Sequence, residues 1–426
     1  PPADGAVELV LRFGPQPAGY SIGRFRVSVT DRDPRVLGLP DPERESLVAD
    51  VERFETERRR LVGEIPRSMV MAELAEPRAS TVLIRGDFLR RGDPVEPGTP
   101  DWLPPLMQRG ARADRLDLAR WRVSHRQPLV PRVATNRIWM RLFGEGLVET
   151  ENDFGSQGSP PTHPELLDYL ATTFRNDGWS TKQLLRRIVR SATYRQSSRR
   201  RDEVTAADPT GRLLATQRRV RVEAEIVRDL ALAVSDSLVR RIGGPGVHPP
   251  QPAGIYAFTQ RNVAWPESRG ADRYRRGLYV FFVRGAPYPL LTTFDAPKFE
   301  TTCTRRVRSN TPLQALTLAN DPAFLELAGI AGSVWNETTA SDEARIETAW
   351  RTALARRPSA AEVARFARFA AAERTLWATD PEARSAWFVA LGLDPTAFDE
   401  RQAIETATWS SVARALFNLD EFITRE

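Results

Sequence analysis

The sequence predicts a mainly α protein: an irregular multi-helix domain with a small β component at the N-terminus and a loop-rich insertion with short strands around residues 243–300. Three observations predict this fold class. Apolar residues recur at helical spacing from about residue 114 onwards, cap residues followed by Pro or Glu mark several helix starts, and the clearest strand-like alternation is confined to the first 30 positions.

Strand-like patterns lie near the N-terminus. Apolar and polar residues alternate over 7–13 and 22–29, with Gly and Pro between them, which predicts two strands. Because two strands alone are marginally stable, we expect them to belong to a larger sheet. The other elements predicted before residue 110 are a charged helix over 42–61, short strands over 68–73 and 81–87, and a Pro- and Gly-rich loop or linker over 91–105.

Helical patterns dominate from residue 114 to the end. Three helix starts carry a Ser or Thr cap followed three residues later by Glu or Gln, and these caps are Thr162, Ser180 and Ser359. Two more starts carry a cap residue followed by Pro, at Thr311–Pro312 and Asp321–Pro322. The helices predicted from apolar spacing alone lie over 116–121, 133–142, 221–238 and 408–419. Gly and Pro at 243–252 interrupt this pattern, and the apolar run 277–283 predicts a buried strand.

Composition excludes several classes of protein. The chain has 426 residues and a net charge of +6, and all but Lys182 and Lys298 of its 61 basic residues are arginine. Because 55 acidic residues nearly balance them, nucleic-acid binding is not expected. No apolar run is long enough for a transmembrane helix. The start at Pro1-Pro2, without Met or signal peptide, is typical of a processed piece of a longer protein.

The single cysteine and three scattered histidines limit metal and haem chemistry. One cysteine rules out an internal disulfide, and without a Cys-x-x-Cys-His motif this stretch cannot attach a c-type haem. No metal site is predicted. His163 precedes Pro164 at a predicted helix start, where it serves either as a ligand or base or as a locally bonded residue.

Polar residues crowd together in two further places. Asn136 and Arg137 stand before a glycine-rich turn that leads to Asp153, so they either clamp a carboxylate or hold the loop closed. Cys303 is followed by Arg305 and Arg306, which either activate the thiol and bind an anion or pair with nearby acids. The aromatic residues between 249 and 289 either stack on sugar rings or pack under an irregular segment.

Five long strings of residues lie at 132–198, 243–252, 272–279, 303–316 and 418–426. Together they resemble the family called domain of unknown function 1553, the C-terminal module of planctomycete-type cytochrome c and PSD domain proteins. The likeness covers roughly residues 110–426, so 111–426 is expected to be the helical module. Residues 1–35 resemble the strand-rich tail of a preceding lectin-like domain, and 36–110 connect the two.

The resemblance implies an extracytoplasmic protein, periplasmic or extracellular, with a c-type haem in an upstream domain and no cofactor in this chain. Upstream cytochrome c and lectin-like domains, and polysaccharide, are the expected partners. One hypothesis is redox or degradative activity on extracellular carbohydrate. Its catalytic residues would be His163, Asp153 and Cys303. Its binding residues would be Asn136, Arg137, Arg195, Arg305, Arg306, Asn310 and Gln314.

The competing hypothesis is a non-catalytic helical scaffold that docks the haem and lectin-like domains. In that case the same polar residues are caps and buried ion pairs. The two hypotheses differ in geometry: catalysis requires His163, Asp153 and the Arg305–Arg306 pair to meet in one open pocket, whereas a scaffold leaves each of them bonded to its own neighbours.

Overall fold

A computed structural model describes residues 42–65, 67–74, 76–256, 264–338 and 341–425. The chain divides into two compact units, Pro1–Val95 and Glu96–Glu426. The helices are α1 (Pro42–Glu64), α2 (Arg115–Arg122), α3 (Leu129–Phe143), α4 (Pro164–Asn176), α5 (Thr181–Val189), α6 (Asp202–Ala207), α7 (Ala224–Val234), α8 (Pro289–Thr293), α9 (Pro312–Asn320), α10 (Pro322–Thr338), α11 (Asp342–Leu354), α12 (Ala360–Thr379), α13 (Pro381–Ala390) and α14 (Glu400–Phe417).

Strands are short and few in the described residues. In the first unit, β1 (Ser80–Leu83) pairs antiparallel with β2 (Arg91–Val95). In the second, β3 (Val220–Arg221) pairs antiparallel with β4 (Thr424–Arg425). The predicted mainly α class is therefore confirmed, while the strands predicted at 7–13 and 22–29 lie outside the described residues.

The main core of the second unit forms where α10 packs along α14. Ala328, Ala331 and Trp335 on α10 meet Trp409 and Val412 on α14, and all five are fully or almost fully buried. Small residues on α10 allow the two helix backbones to approach closely. A Cβ added at Gly332 would lie 2.4 Å from the backbone nitrogen of Ser410, so only glycine fits there.

A second core lies under α3, α4 and α5. Trp139 stacks on Phe143 along α3, with ring centroids 4.0 Å apart. Leu167 and Leu170 of α4 and Leu184 of α5 close this core. Both helix starts follow from local chemistry, because Pro164 occupies the first turn of α4 and the Ser180 hydroxyl accepts from the backbone of Gln183 at the start of α5.

Three predictions of strand or loop differ from the structure. The expected strand at 68–73 has no regular structure, and residues 91–95, expected as loop, form β2. The expected strand at 277–283 starts as a 3-10 turn, Gly277–Tyr279, followed by a single bridge between Val280 and Val247. A Cβ at Gly277 would lie 2.5 Å from the Glu225 carbonyl oxygen, so this apolar run packs against α7 through its backbone.

Candidate functional site

Asn136 fixes the loop that follows α3. Its side-chain amide donates to the Val148 carbonyl oxygen at 2.9 Å, and its Oδ1 accepts from the Val148 amide at 2.9 Å. Asn136 is fully buried, and a Cβ at Gly146 would lie 2.6 Å from its Nδ2. Because both ends of the amide are bonded to one backbone position, Asn136 stabilises the loop.

Asp153 also takes part in a tight turn. Its Oδ1 accepts from the Gly155 amide at 2.8 Å, and its carbonyl oxygen accepts from the Thr150 hydroxyl at 2.7 Å. Gly158 passes so close that an added Cβ would lie 2.1 Å from the Asp153 carbonyl oxygen. These bonds orient the carboxylate towards its own loop backbone.

His163 is the residue before the first turn of α4. Its Nδ1 lies 3.0 Å from the Thr162 hydroxyl, and the ring is half-buried. The predicted capping box does not form, because Thr162 is bonded instead to Leu147: its amide donates to the Leu147 carbonyl at 2.9 Å and its hydroxyl lies 3.4 Å from the same oxygen. Within the described residues, no hydrogen bond joins His163 to Asp153 or Cys303.

Two strings separated by about 150 residues meet through Asn152 and Thr304. The Asn152 amide donates to the Thr304 hydroxyl at 2.7 Å, and that hydroxyl donates to Glu151 at 3.2 Å. Arg137 reaches the same place, since its guanidinium lies 3.4 Å from Asn152 Oδ1. Cys303 is exposed beside this junction, and its thiol donates to the Arg305 carbonyl oxygen at 3.2 Å.

Arg306 is paired with acids at the start of α7. Its guanidinium binds both carboxylate oxygens of Glu225, at 2.5 and 3.0 Å, and lies 3.4 Å from Glu223. Burial raises the pKa of Glu225, but the hydrogen bonds from Arg306 and from a backbone amide, together with the charges of Arg306 and Arg141, hold that pKa below its ordinary value. Arg306 is therefore half of a bidentate ion pair that ties residues 303–309 to α7.

The remaining predicted binding residues occupy different environments. Gln314 is buried, and its amide donates to the Thr293 carbonyl and the Ser309 hydroxyl, both at 3.0 Å. Arg195 is exposed, with its Nε 3.4 Å from the Ser191 carbonyl oxygen. Arg305 is exposed on the chain next to Cys303, and Asn310 is exposed at the edge of a cleft.

Sequence reasoning missed most of the residues that line this cleft. The cleft has a volume of about 640 Å³, and we call it the arginine cleft after five of its side chains: Arg200, Arg218, Arg219, Arg221 and Arg308. The end of α3, the 198–221 segment, residues 308–310 and the C-terminal turn contribute its walls. The alternation Arg219-Val220-Arg221 was the available signal, since it places Val220 in the core and both arginines on the opposite side.

Most of these arginines have acidic partners. Arg218 is bonded to Glu145 and to the Thr210 carbonyl oxygen. Arg219 and Arg221 share Asp420, at 3.3 and 3.2 Å. Gln217 lines the same cleft with 5 % of its surface exposed, and its Oε1 has no hydrogen-bond partner in the described part of the chain.

The Asn152–Thr304 hydrogen bond brings the 149–153 and 303–306 segments together, but no nucleophile–base pair forms among the described residues. In those residues there is also no group of three or more His, Cys, Asp or Glu that could hold a metal ion, and no helix is long and apolar enough to cross a membrane. The role of the predicted site residues in binding or acting on a ligand stays a prediction.

These features define a class of protein: a helical module whose loops are fixed by buried polar bonds and which contains an arginine-lined cleft. Residues 114–370, more than half of the chain, match the family model PSD1, described as a protein of unknown function (DUF1553), and the chain belongs to this family. The resemblance stated from the sequence is thereby confirmed. No curated protein and no solved structure matches the chain.

Proposed function

We propose that this chain is the non-catalytic helical docking module of an extracytoplasmic protein that also contains a c-type cytochrome domain. The upstream cytochrome c and lectin-like domains of the same polypeptide are its partners, in the periplasm or outside the cell. Redox or degradative chemistry on extracellular carbohydrate belongs to those domains. These 426 residues contain one cysteine, so they cannot themselves attach a c-type haem through two thioether bonds.

The observation that carries this proposal is the exposed apolar hairpin formed by β1 and β2. Val82, Ile84, Phe88 and Leu89 lie on this hairpin, and the last two are 74 % and 78 % exposed. A two-stranded hairpin is marginally stable alone, and clustered exposed apolar side chains mark interaction sites. The hairpin therefore supports a docking role in which a neighbouring domain covers it.

The bonding of the candidate catalytic residues favours docking over catalysis. Asp153 and His163 are bonded within their own loops, and the Cys303 thiol donates to a backbone carbonyl. A catalytic cysteine requires a base within hydrogen-bond reach, and no described contact supplies one to Cys303. The junction between residues 149–155 and 303–306 is instead held by Asn152, Thr304 and Glu151.

Hydrogen–deuterium exchange on the full-length protein tests docking. Amides of residues 80–95 should exchange more slowly in the full-length protein than in this chain alone. The double substitution Phe88→Asp/Leu89→Asp should abolish that protection, whereas Val389→Asp, at an apolar α13 residue that is 68 % exposed, should not. Equal exchange of the hairpin in both proteins would refute the proposal.

A second measurement separates docking from catalysis by this chain. Haem reduction in the full-length protein is followed by absorbance with candidate sugars, comparing wild type with His163→Ala and Cys303→Ser. We expect the same rate for all three proteins, because neither residue takes part in the chemistry. A variant that folds normally but no longer reduces the haem would support the catalytic alternative.

A further inference from the structure

Arg308 is the unusual residue of the arginine cleft. Its side chain is half-buried and lines the cleft, yet within the described residues no carboxylate pairs with it and its Nε is buried without a hydrogen-bond partner. Leaving a buried cation unpaired is costly, so such groups are normally paired with an anion. The cleft therefore contains a positive charge that no carboxylate among the described residues neutralises.

Three further arginines lie near Arg308 and add to the local positive charge. Burial lowers the pKa of its guanidinium below the ordinary value, and the nearby charges of Arg425, Arg141 and Arg305 lower that pKa further. The charge of Glu223 acts in the opposite direction. Glu223 is already within ion-pair distance of Arg141 and Arg306. The nearest acid is thus shared between cations that compete for it.

The acids that line the cleft are also occupied. Both carboxylate oxygens of Asp208 accept backbone amides, from Arg212 at 2.9 Å and Leu213 at 2.7 Å. Asp420 is shared by two of the cleft arginines. Arg200 is exposed at the cleft, and no carboxylate among the described residues forms an ion pair with it. Arg200 and Arg308 thus remain as positive charges in excess.

Two amide side chains complete the donor set. Gln217 is more than nine-tenths buried in the cleft wall, and its carboxamide has an unpaired oxygen. Since amide oxygen and nitrogen exchange places by a half-turn of the side chain, this group can present its NH2 to an anion. Asn310 adds an exposed amide at the edge of the cleft.

Gly144 keeps the Arg308 guanidinium close to the cleft wall. This glycine has a φ of 85° and ends α3 in the left-handed region. A Cβ built on it would lie 3.1 Å from Val220 Cγ2 and 3.6 Å from Arg308 Nη1. The end of α3 therefore fits closely against both residues and limits the positions that the guanidinium can take.

We propose that the arginine cleft is a binding site for an oxyanion, in which Arg308 makes the central charge-assisted hydrogen bonds and Arg200, Gln217 and Asn310 contribute further donors. A planar guanidinium matches carboxylate, sulfate and phosphate groups through two parallel hydrogen bonds. The volume of about 640 Å³ lies within the range of small-molecule sites, so the oxyanion can be part of a larger ligand.

Thermal unfolding of this whole chain tests the site, with acetate, sulfate and inorganic phosphate each compared with chloride at equal ionic strength. At least one oxyanion should raise the melting temperature beyond the effect of chloride, because a ligand that binds only the folded state stabilises it. The responding ion identifies carboxylate, sulfate or phosphate as the preferred group.

Substitutions then locate the binding. Arg308→Gln should weaken the apparent affinity at least tenfold, and Arg200→Gln, at an exposed residue that does not endanger folding, should weaken it several-fold. The matched control is Arg365→Gln, at an exposed arginine of α12 outside the cleft, which should bind as wild type does. Wild-type affinity in both cleft variants, or no oxyanion response beyond chloride in wild type, would overturn the proposal.

Discussion

Replacing Gly332 by Ala should separate the two central helices. The added Cβ would lie 2.4 Å from Ser410 N, 2.7 Å from Ser410 Cα and 2.7 Å from Trp409 C, all backbone atoms of α14. Carbon contacts normally lie at about 3.5–4.0 Å, so α10 must move away by roughly 1 Å. Because the obstacle is backbone, no side chain can rotate to make room.

The magnitude follows from two opposing contributions. Overpacking a core costs about 1–3 kcal/mol, and we take the upper end because α14 is held by buried residues along its length. Alanine is a better helix former than glycine by about 1 kcal/mol, which offsets part of this cost. We therefore expect Gly332→Ala to lower the free energy of unfolding by about 2 kcal/mol.

Gly329→Ala, one turn earlier in α10, is the matched control. Its Cβ would lie 3.2 Å from Leu391 Cβ and 3.5 Å from both Leu391 Cδ atoms, so a shift of a few tenths of an ångström makes room for it. Urea unfolding followed by far-ultraviolet circular dichroism gives both values. The denaturation midpoint should fall for Gly332→Ala and stay near wild type for Gly329→Ala. Equal midpoints for the two variants would refute the reasoning about the backbone contact.

Three further predictions concern buried polar groups. Burial raises the pKa of Asp321 to about 6. The folded state therefore binds more protons than the unfolded state between about pH 4 and 6, and the free energy of unfolding falls as pH rises through this range. Asp321→Asn should remove up to about 3 kcal/mol of that fall, measured by urea unfolding at pH 4 and pH 8. Asn136→Asp should lower the free energy of unfolding by about 2 kcal/mol, because a carboxylate oxygen would replace the amide donor that faces the Val148 carbonyl. Wild-type stability in urea unfolding would contradict a stabilising role for the Asn136–Val148 hydrogen bonds. Arg374→Met should lower the free energy of unfolding by about 2 kcal/mol, because it leaves carboxylates on α11 and α14 unpaired. If this loss is not smaller in the background of Glu405→Gln, the ion pair is not its cause.

Helix starts were predictable where the cap is a local interaction. At Ser359–Glu362 the side chain of each residue bonds to the backbone of the other, as the spacing predicts. The helix predicted at Thr311–Pro312 begins with the same reciprocal bonds, between Thr311 and Gln314. At Thr162 the same pattern failed, because the Leu147 carbonyl, 15 residues earlier, bonds to both its amide and its hydroxyl. A tertiary partner that is distant in sequence leaves no trace in the local pattern.

The candidate site was predictable as residue types but not as pairs. The sequence marked Arg306 and Asn136 as polar residues in crowded strings, and both take part in bonds that hold the loops. Their partners, Glu225 and Val148, could not be chosen, because the pairing of Arg306 with Glu225 spans 81 residues and a backbone carbonyl has no sequence signal. The excess charge at Arg308 has no sequence signal either, because it depends on which arginines the nearby acids pair with in the folded protein.

The pairing of β3 with β4 has a consequence for synthesis of the protein. Arg219 and Asp420, which bond beside these strands, are 201 residues apart. At translation rates of roughly 5–20 residues per second, Val220 and its neighbours wait about 10–40 s on the ribosome for their partner strand. Val220 and Arg221 therefore keep an open strand edge during that interval, and this unit cannot complete its packing until the C-terminal residues have left the ribosome.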